Sequence, residues 1–309
     1  MASPATQAGM ADCSSVVAVV VTFEPEPIAL RRVLLALWRQ VGALVIVDNG
    51  SHNGLAVELP AAARQTIHWI MLGENLGIAA AQNRGIAWAR RQGARYVLLS
   101  DQDSEPASDM VGHLVAAAED LAKSGVAVAL VAPDYSDERQ SVQIPFMHIR
   151  DGHPKWFGCE GHEGRPEITT AIASGSLIPI STLEAVGHMR ESMFIDLVDI
   201  EWCFRARAKG FRAFGVCAAK LRHNLGEQPT RVLGRALATH TPLRNYYFYR
   251  NAVWLFQQHY VPGVWKRIVA RQMLKRYVVF PLFVHPRMAY FKMMSVGLWD
   301  GLRGRSGPL

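Results

Sequence analysis

The chain has 309 residues, half of them hydrophobic, with a formal net charge of +7, enough chain to bury one large core or two layered halves. No window has the length and apolar continuity of a spanning helix, and residues 1–15, read as a disordered lead, lack the basic and apolar stretches of a secretory signal. The four cysteines, Cys13, Cys159, Cys203 and Cys217, show no metal or redox spacing and suit a reducing cytoplasm.

Residues 16–21 form an apolar run rich in β-branched side chains, which predicts a buried strand ending at Thr22. Residues 28–40 repeat apolar positions at a helical period through Leu30, Val33, Leu34, Leu37 and Trp38. A second strand over 44–47 runs into Asp48-Asn49-Gly50-Ser51. A third over 67–72 runs into Gly73-Glu74-Asn75-Leu76-Gly77. The helix predicted over 78–91 carries Ala79, Ala80, Ala81, Asn83 and Gly85, small enough for close helix–sheet packing. A fourth strand over 96–99 delivers Asp101-Gln102-Asp103. Strand alternating with helix predicts an α/β fold on a mostly parallel sheet, and such sheets bind ligands beyond the carboxyl ends of their strands.

Alternate residues of an extended chain share a face. Asp101 and Asp103 can therefore point the same way, which is costly unless a cation lies between them. A hard divalent ion bridging to a diphosphate is the natural occupant, and a turn capping the next helix is the alternative. Asp48 can accept from the N3–H of a pyrimidine or cap the turn at Ser51. Asn75 and Gly77 let the backbone approach a ribose or diphosphate.

Residues 133–167 are rich in Gly and Pro and read as a loop, a candidate lid. Ser174-Gly175-Ser176 precedes a short strand over 177–180. Asp196, Asp199 and Glu201 open a helix that continues through Trp202, Phe204, Arg205 and Arg207, where the helix dipole favours carboxylates. His223 follows a strand over 211–217. From 231 to 305 basic and aromatic residues interleave and acidic ones are almost absent. That pattern reads as an interfacial membrane surface or as a basic packing region, and no nucleic-acid motif accompanies it.

Thr22, Asp48-Asn49-Gly50-Ser51, Asn75 to Asn83, Asp101-Gln102-Asp103-Ser104, Ser174 to Ile178, Phe194 to Arg205, Arg250-Asn251 and Trp299 to Arg305 together resemble the family-2 inverting glycosyltransferases of GT-A fold. The likeness is greatest to bacterial rhamnosyltransferases that use dTDP-L-rhamnose. The resemblance implies a nucleotide-sugar-binding half over 16–130, an acceptor and catalytic half over 131–226, and a membrane-proximal helical region over 227–309. It implies a donor site of Thr22, Asp48, Asn75, Gly77, Asn83 and Asp101, and a Mn²⁺ or Mg²⁺ site of Asp101, Asp103 and His223.

It further implies Asp199 as general base, with Asp196 the alternative because Val198 stands where an acidic residue is usual. Ser174, Gly175, Asp196, Glu201, Trp202 and Arg250 would take acceptor or supporting roles. The expected acceptor is a lipid-linked glycan or glycolipid of O-antigen or exopolysaccharide synthesis, met at the inner face of the cytoplasmic membrane. The second transferase of rhamnolipid synthesis, another dTDP- or UDP-sugar transferase, and an inactive nucleotide-sugar-binding scaffold are the alternatives. The oligomeric state is left open.

Overall fold

The computed structural model describes residues 12–53, 57–137, 142–162, 164–223, 230–232, 235–237 and 240–309. The first half runs β1 (Val16–Thr22), α1 (Pro27–Trp38), β2 (Ala43–Asp48), α2 (Ala61–Thr66), β3 (Ile67–Met71), α3 (Ile78–Arg91) and β4 (Tyr96–Asp101). Every residue of β1 is buried, as its unbroken apolar run requires. Pro27 opens α1, and the Glu26 carboxylate caps it by accepting from the N–H groups of Ile28 and Ala29. In α3, a Cβ on Gly85 would lie 2.2 Å from Val19 Cγ1, so glycine is what lets this helix settle on β1.

The chain continues through β5 (Ser104–Pro106), α4 (Met110–Lys123), β6 (Val128–Asp137), β7 (Val142–Ile144), β8 (Phe146–Arg150), β9 (His153–Phe157), β10 (Glu167–Ile168), β11 (Leu177–Pro179), α5 (Ile180–Val186), a 3₁₀ turn at Glu191–Met193, α6 (Val198–Ala208) and β12 (Arg212–His223). The main sheet has the order β10-β12-β6-β11-β4-β1-β2-β3. Strands β3, β2, β1 and β4 are parallel; β11 joins them antiparallel to β4 and β6, and β6 runs parallel to β12. This mixed, mostly parallel sheet flanked by helices is the α/β arrangement expected. Residues 133–167, expected as loop, instead carry the end of β6 and strands β7 to β10. Gly and Pro there punctuate short strands. Cys159 is disulfide-bonded to Cys217 on β12, with the Cα atoms 5.3 Å apart. The cysteine spacing gave no sign of that pair, because β12 is brought to Cys159 only by sheet assembly.

Two short strands, β13 (Thr230–Val232) and β14 (Arg235–Leu237), lead to α7 (Pro242–Gln257), α8 (Gly263–Phe283) and α9 (Arg287–Leu302). Six of the fourteen aromatics of this region are core, and five more pack partly buried against it. Tyr246, Tyr247, Tyr249, Trp265, Phe280 and Tyr290 are all buried. Gly297 and Gly301 let α9 cross α7 closely, since a Cβ on either would lie within 3 Å of α7 atoms. Among the described residues no helix is long and apolar enough to cross a membrane.

Candidate active site

Sheet register sets the site. Thr22 pairs with Asp48 across β1 and β2, and Val21 pairs with Asp101 across β1 and β4. Three polar side chains thus arrive together at the carboxyl edge of the parallel strands. Asp48 is buried; its carboxylate accepts from Thr22 Oγ1 at 3.0 Å, from the Ser51 N–H at 2.9 Å and from Ser51 Oγ at 2.6 Å. The turn-capping role weighed from sequence is therefore present. Asn75 Oδ1 accepts from Asn49 Nδ2 and from the Gly77 N–H, while Asn49 Oδ1 accepts from the Leu76 N–H. Gly77 has φ 89° and faces Phe194, whose carbonyl oxygen would lie 2.6 Å from an added Cβ. Glycine is thus required twice over at this junction.

Strand β4 ends at Asp101, Gln102 and Asp103 make a turn, and β5 leaves to pair with β12. Gln102, unremarked in the sequence, clamps this turn to the end of β1: its Oε1 accepts from the Phe23 N–H at 2.8 Å and its Nε2 donates to the Phe23 carbonyl at 3.2 Å. Register places His223 opposite Ser104, the residue after Asp103. The backbone therefore brings the three expected metal ligands to one corner of the sheet, and two carboxylates with an imidazole are a donor set suited to Mn²⁺. The His223 side chain lies outside the described residues. Among the described residues no three His, Cys, Asp or Glu side chains converge on one point.

Asp199 stands across from this corner, in the first turn of α6. Its carboxylate accepts from the N–H of Ala173 at 3.1 Å and from its neighbour Ile200 at 2.8 Å. It borders a cavity lined by Leu99, Ala173, Trp202 and Cys203 among others. Burial raises its pKa to about 6, with the charges of Asp101 and Asp196 adding to the rise against the two backbone donors. A carboxylate ionised at neutral pH yet markedly more basic than usual is matched to proton abstraction.

Residues 18–185 match the family described as Glycosyl transferase family 2. The chain belongs to that family. Over 299 residues it is 29% identical to "dTDP-rhamnosyl transferase RfbF" of Shigella flexneri, covering 95% of this chain and 97% of that protein. Its fold is similar to that of S. aureus TarS, with a TM-score of 0.58 at 14% identity, covering 93% of this chain and 48% of that one. It also resembles GalNAc-T7, solved with UDP, GalNAc and Mn²⁺, with a TM-score of 0.56 at 12% identity, covering 96% of this chain and 57% of that one. The enzyme is a glycosyltransferase of GT-A architecture.

The remaining side chains singled out in this transferase are engaged inside the protein. Asn83 exchanges hydrogen bonds with the Met189 backbone and donates to Glu191. Glu201 is fully buried, accepting from Arg205 at 2.9 and 3.0 Å and from the Tyr260 hydroxyl at 2.8 Å. Trp202 donates from Nε1 to the Gly187 carbonyl. Ser174 Oγ accepts from the Asp101 N–H, and Gly175, at φ 78°, donates to the Leu99 carbonyl. Asp196 pairs with Arg244 at 2.7 Å.

Arg250 is buried and donates to the Met193 and Gly307 carbonyls. Asn251, missed as a separate signal beside Arg250, donates to the carbonyls of Met193, Ile195 and Asp196. The segment it holds is strained: Phe194, Asp196 and Leu197 all have φ near +64°.

Proposed function

We propose that this transferase moves L-rhamnose from dTDP-L-rhamnose, with inversion, to a hydroxyl of a lipid-linked glycan at the inner face of the cytoplasmic membrane. The observation that carries the reading is the pairing of one carboxylate raised to about pH 6, Asp199, with a carboxylate turn at a neighbouring strand end. Inverting transfer is a direct displacement, in which the acceptor hydroxyl loses its proton as it attacks the anomeric carbon. Asp199 takes that proton. Asp48 meets the pyrimidine, while Thr22, Asn75, Gly77 and Asp101 shape the rest of the donor site. Asn83 acts behind them by fixing the segment at Met189.

Asp101, Asp103 and His223 would hold Mn²⁺ or Mg²⁺, which supplies charge neutralisation for the departing nucleoside diphosphate. The mononucleotide half ends near residue 130, the catalytic half near 226, and the helices beyond them lie against the membrane. Two faces favour that contact. On α8, Arg267, Arg271 and Lys275 share an exposed face with Leu274, Val278 and Leu282; on α9, Met288, Phe291, Trp299 and Leu302 recur on another.

The deciding experiment is a donor screen with dTDP- and UDP-sugars, with and without Mn²⁺, followed by anomeric analysis of the product. Rhamnosyl product of inverted configuration, lost with EDTA and lost in Asp103→Ala, is expected. Full turnover after EDTA treatment overturns the metal assignment, and preference for a UDP-sugar overturns the donor.

A further inference from the structure

A second pocket, of about 190 Å³, adjoins the acidic segment and is lined by Asp196, Leu197, His240, Arg244, Asn245, Phe248 and Arg276. Its charges do not balance. Asp196 is answered by Arg244. His240 is neutral at physiological pH, its pKa pushed down to about 4 by burial and by Arg244 and Arg276. Arg276 projects from the inner face of α8, where it is partly buried and lies over the Phe248 ring at 4.8 Å. Among the described residues its guanidinium has no hydrogen-bond or ion-pair partner. A desolvated cation in that state is costly unless an anion completes it.

A second signal is independent of charge. Asn245 is buried and donates to the His240 and Thr241 carbonyls, but its Oδ1 has no partner among the described residues. An orphaned buried acceptor calls for a donor from outside, such as a hydroxyl. None of the pocket's walls comes from the strand ends assigned to the donor, and Asp196 stands three residues before the proposed base. The helix that supplies Arg276 also carries the exposed face of Arg267, Arg271, Leu274, Lys275, Val278 and Leu282. The pocket thus adjoins both the catalytic segment and the surface proposed to meet lipid.

We infer that this pocket receives the phosphate-bearing end of the lipid-linked acceptor, with Arg276 holding the phosphate and Asn245 Oδ1 accepting from a hydroxyl of the adjoining sugar. Phe248 supplies an apolar wall for the ring. The inference rests on the lipid-linked reading above and adds where such an acceptor is gripped.

The test separates the anion site from the acceptor assignment. Inorganic pyrophosphate is titrated calorimetrically into the full chain, stripped of metal with EDTA and saturated with dTDP so that the nucleotide site is filled. Wild type should bind it, Arg276→Met should bind at least about tenfold more weakly, as expected for a charge-assisted hydrogen bond, and Arg276→Lys should restore part of the loss. In wild type, pyrophosphate should also shield Arg276 from phenylglyoxal, read by peptide mass spectrometry, which keeps the test decisive should Arg276→Met melt early. Wild type that neither binds nor is shielded overturns the site. In turnover assays with a polyprenyl diphosphate-linked sugar, Arg276→Met should raise the acceptor KM about tenfold. An unchanged KM alongside lost pyrophosphate binding overturns the acceptor assignment, leaving a site for free anions only.

Discussion

The N–H of Asp101 donates to Ser174 Oγ at 3.1 Å, so the end of the fourth strand is fastened to the loop whose Ala173 N–H donates to Asp199. The carboxylate turn assigned to donor and metal and the carboxylate assigned to proton transfer are therefore positioned by one four-residue stretch, Ala173 to Ser176. Ser174 is fully buried, so it fixes the distance between two groups proposed to act on the same anomeric carbon.

Replacing Asp199 by Asn removes basicity while keeping size and polarity. We expect kcat to fall about 10²–10⁴-fold with donor affinity retained. The variant should not be less stable. An ionised carboxylate held at a folded pKa of about 6 against an ordinary 3.8 costs roughly 3 kcal/mol at neutral pH, which the neutral amide relieves in part. Kinetics and thermal melts of Asp199→Asn, beside Asp196→Asn, check this. Wild-type turnover in Asp199→Asn with a dead Asp196→Asn would move the base to Asp196.

The same group sets opposing pH dependences. Because the folded state holds the Asp199 proton more tightly than the unfolded chain, its contribution to stability is greatest below about pH 4, declines as pH rises and levels off above about pH 6. Activity should rise over the upper part of that window, with an acid limb in kcat/KM near pH 6. The difference in unfolding free energy between wild type and Asp199→Asn, measured from pH 4 to 8, should grow with pH and then flatten. A difference that is constant with pH would show that Asp199 carries no raised pKa.

Asp48 is proposed to read the pyrimidine while it also holds Thr22 and Ser51. Asp48→Ala should raise the donor KM by an amount equivalent to about 1–3 kcal/mol with kcat nearly unchanged, because the contact is equal in ground and transition states. It should also lower the melting temperature, since the buried Thr22 hydroxyl and the half-buried Ser51 hydroxyl lose their acceptor. Unchanged KM with lowered stability would reduce Asp48 to a cap.

Membrane contact should depend on the outer face of α8. Arg267, Arg271 and Lys275 are exposed there, whereas Lys266 is engaged with the Phe256 and Gln258 carbonyls at the end of α7. Changing the first three to Gln should release the protein from anionic vesicles at low salt, each charge contributing about 1 kcal/mol. Lys266→Gln should leave binding intact. Co-sedimentation in which wild type ignores anionic lipid would contradict the membrane reading.

Much of the first half of the chain was legible because its signals are local. Apolar runs, helical periods and the polar residues that end each strand all lie within a few positions of one another, and α3 was bounded correctly at Ile78 and Arg91. The strands β7 to β10 were not legible, because they are short, rich in Gly and Pro, and set by pairing with distant partners. The Cys159–Cys217 pair and the Gln102 clamp were hidden for the same reason. Arg250 drew notice through resemblance to a family, yet its place among buried carbonyls follows only from how α7 lies on the catalytic segment. Aromatic residues of the last three helices looked alike in sequence; packing divided them into buried residues, half-buried ones and the exposed Phe283, Phe291 and Trp299.

Asn251 has one further consequence. The amide that secures the carbonyls of Met193, Ile195 and Asp196 is the peg on which an unfavourable backbone shape is hung, and it comes from α7, beyond the point where the catalytic half was drawn to end. A fragment cut at residue 226 would keep every strand of the main sheet and the proposed base Asp199. It would lose the peg, and the 194–197 stretch would be free to relax toward an ordinary conformation, turning Asp199 away from its place. The helices that are proposed to meet the membrane are thus also the scaffolding of the proposed reaction centre.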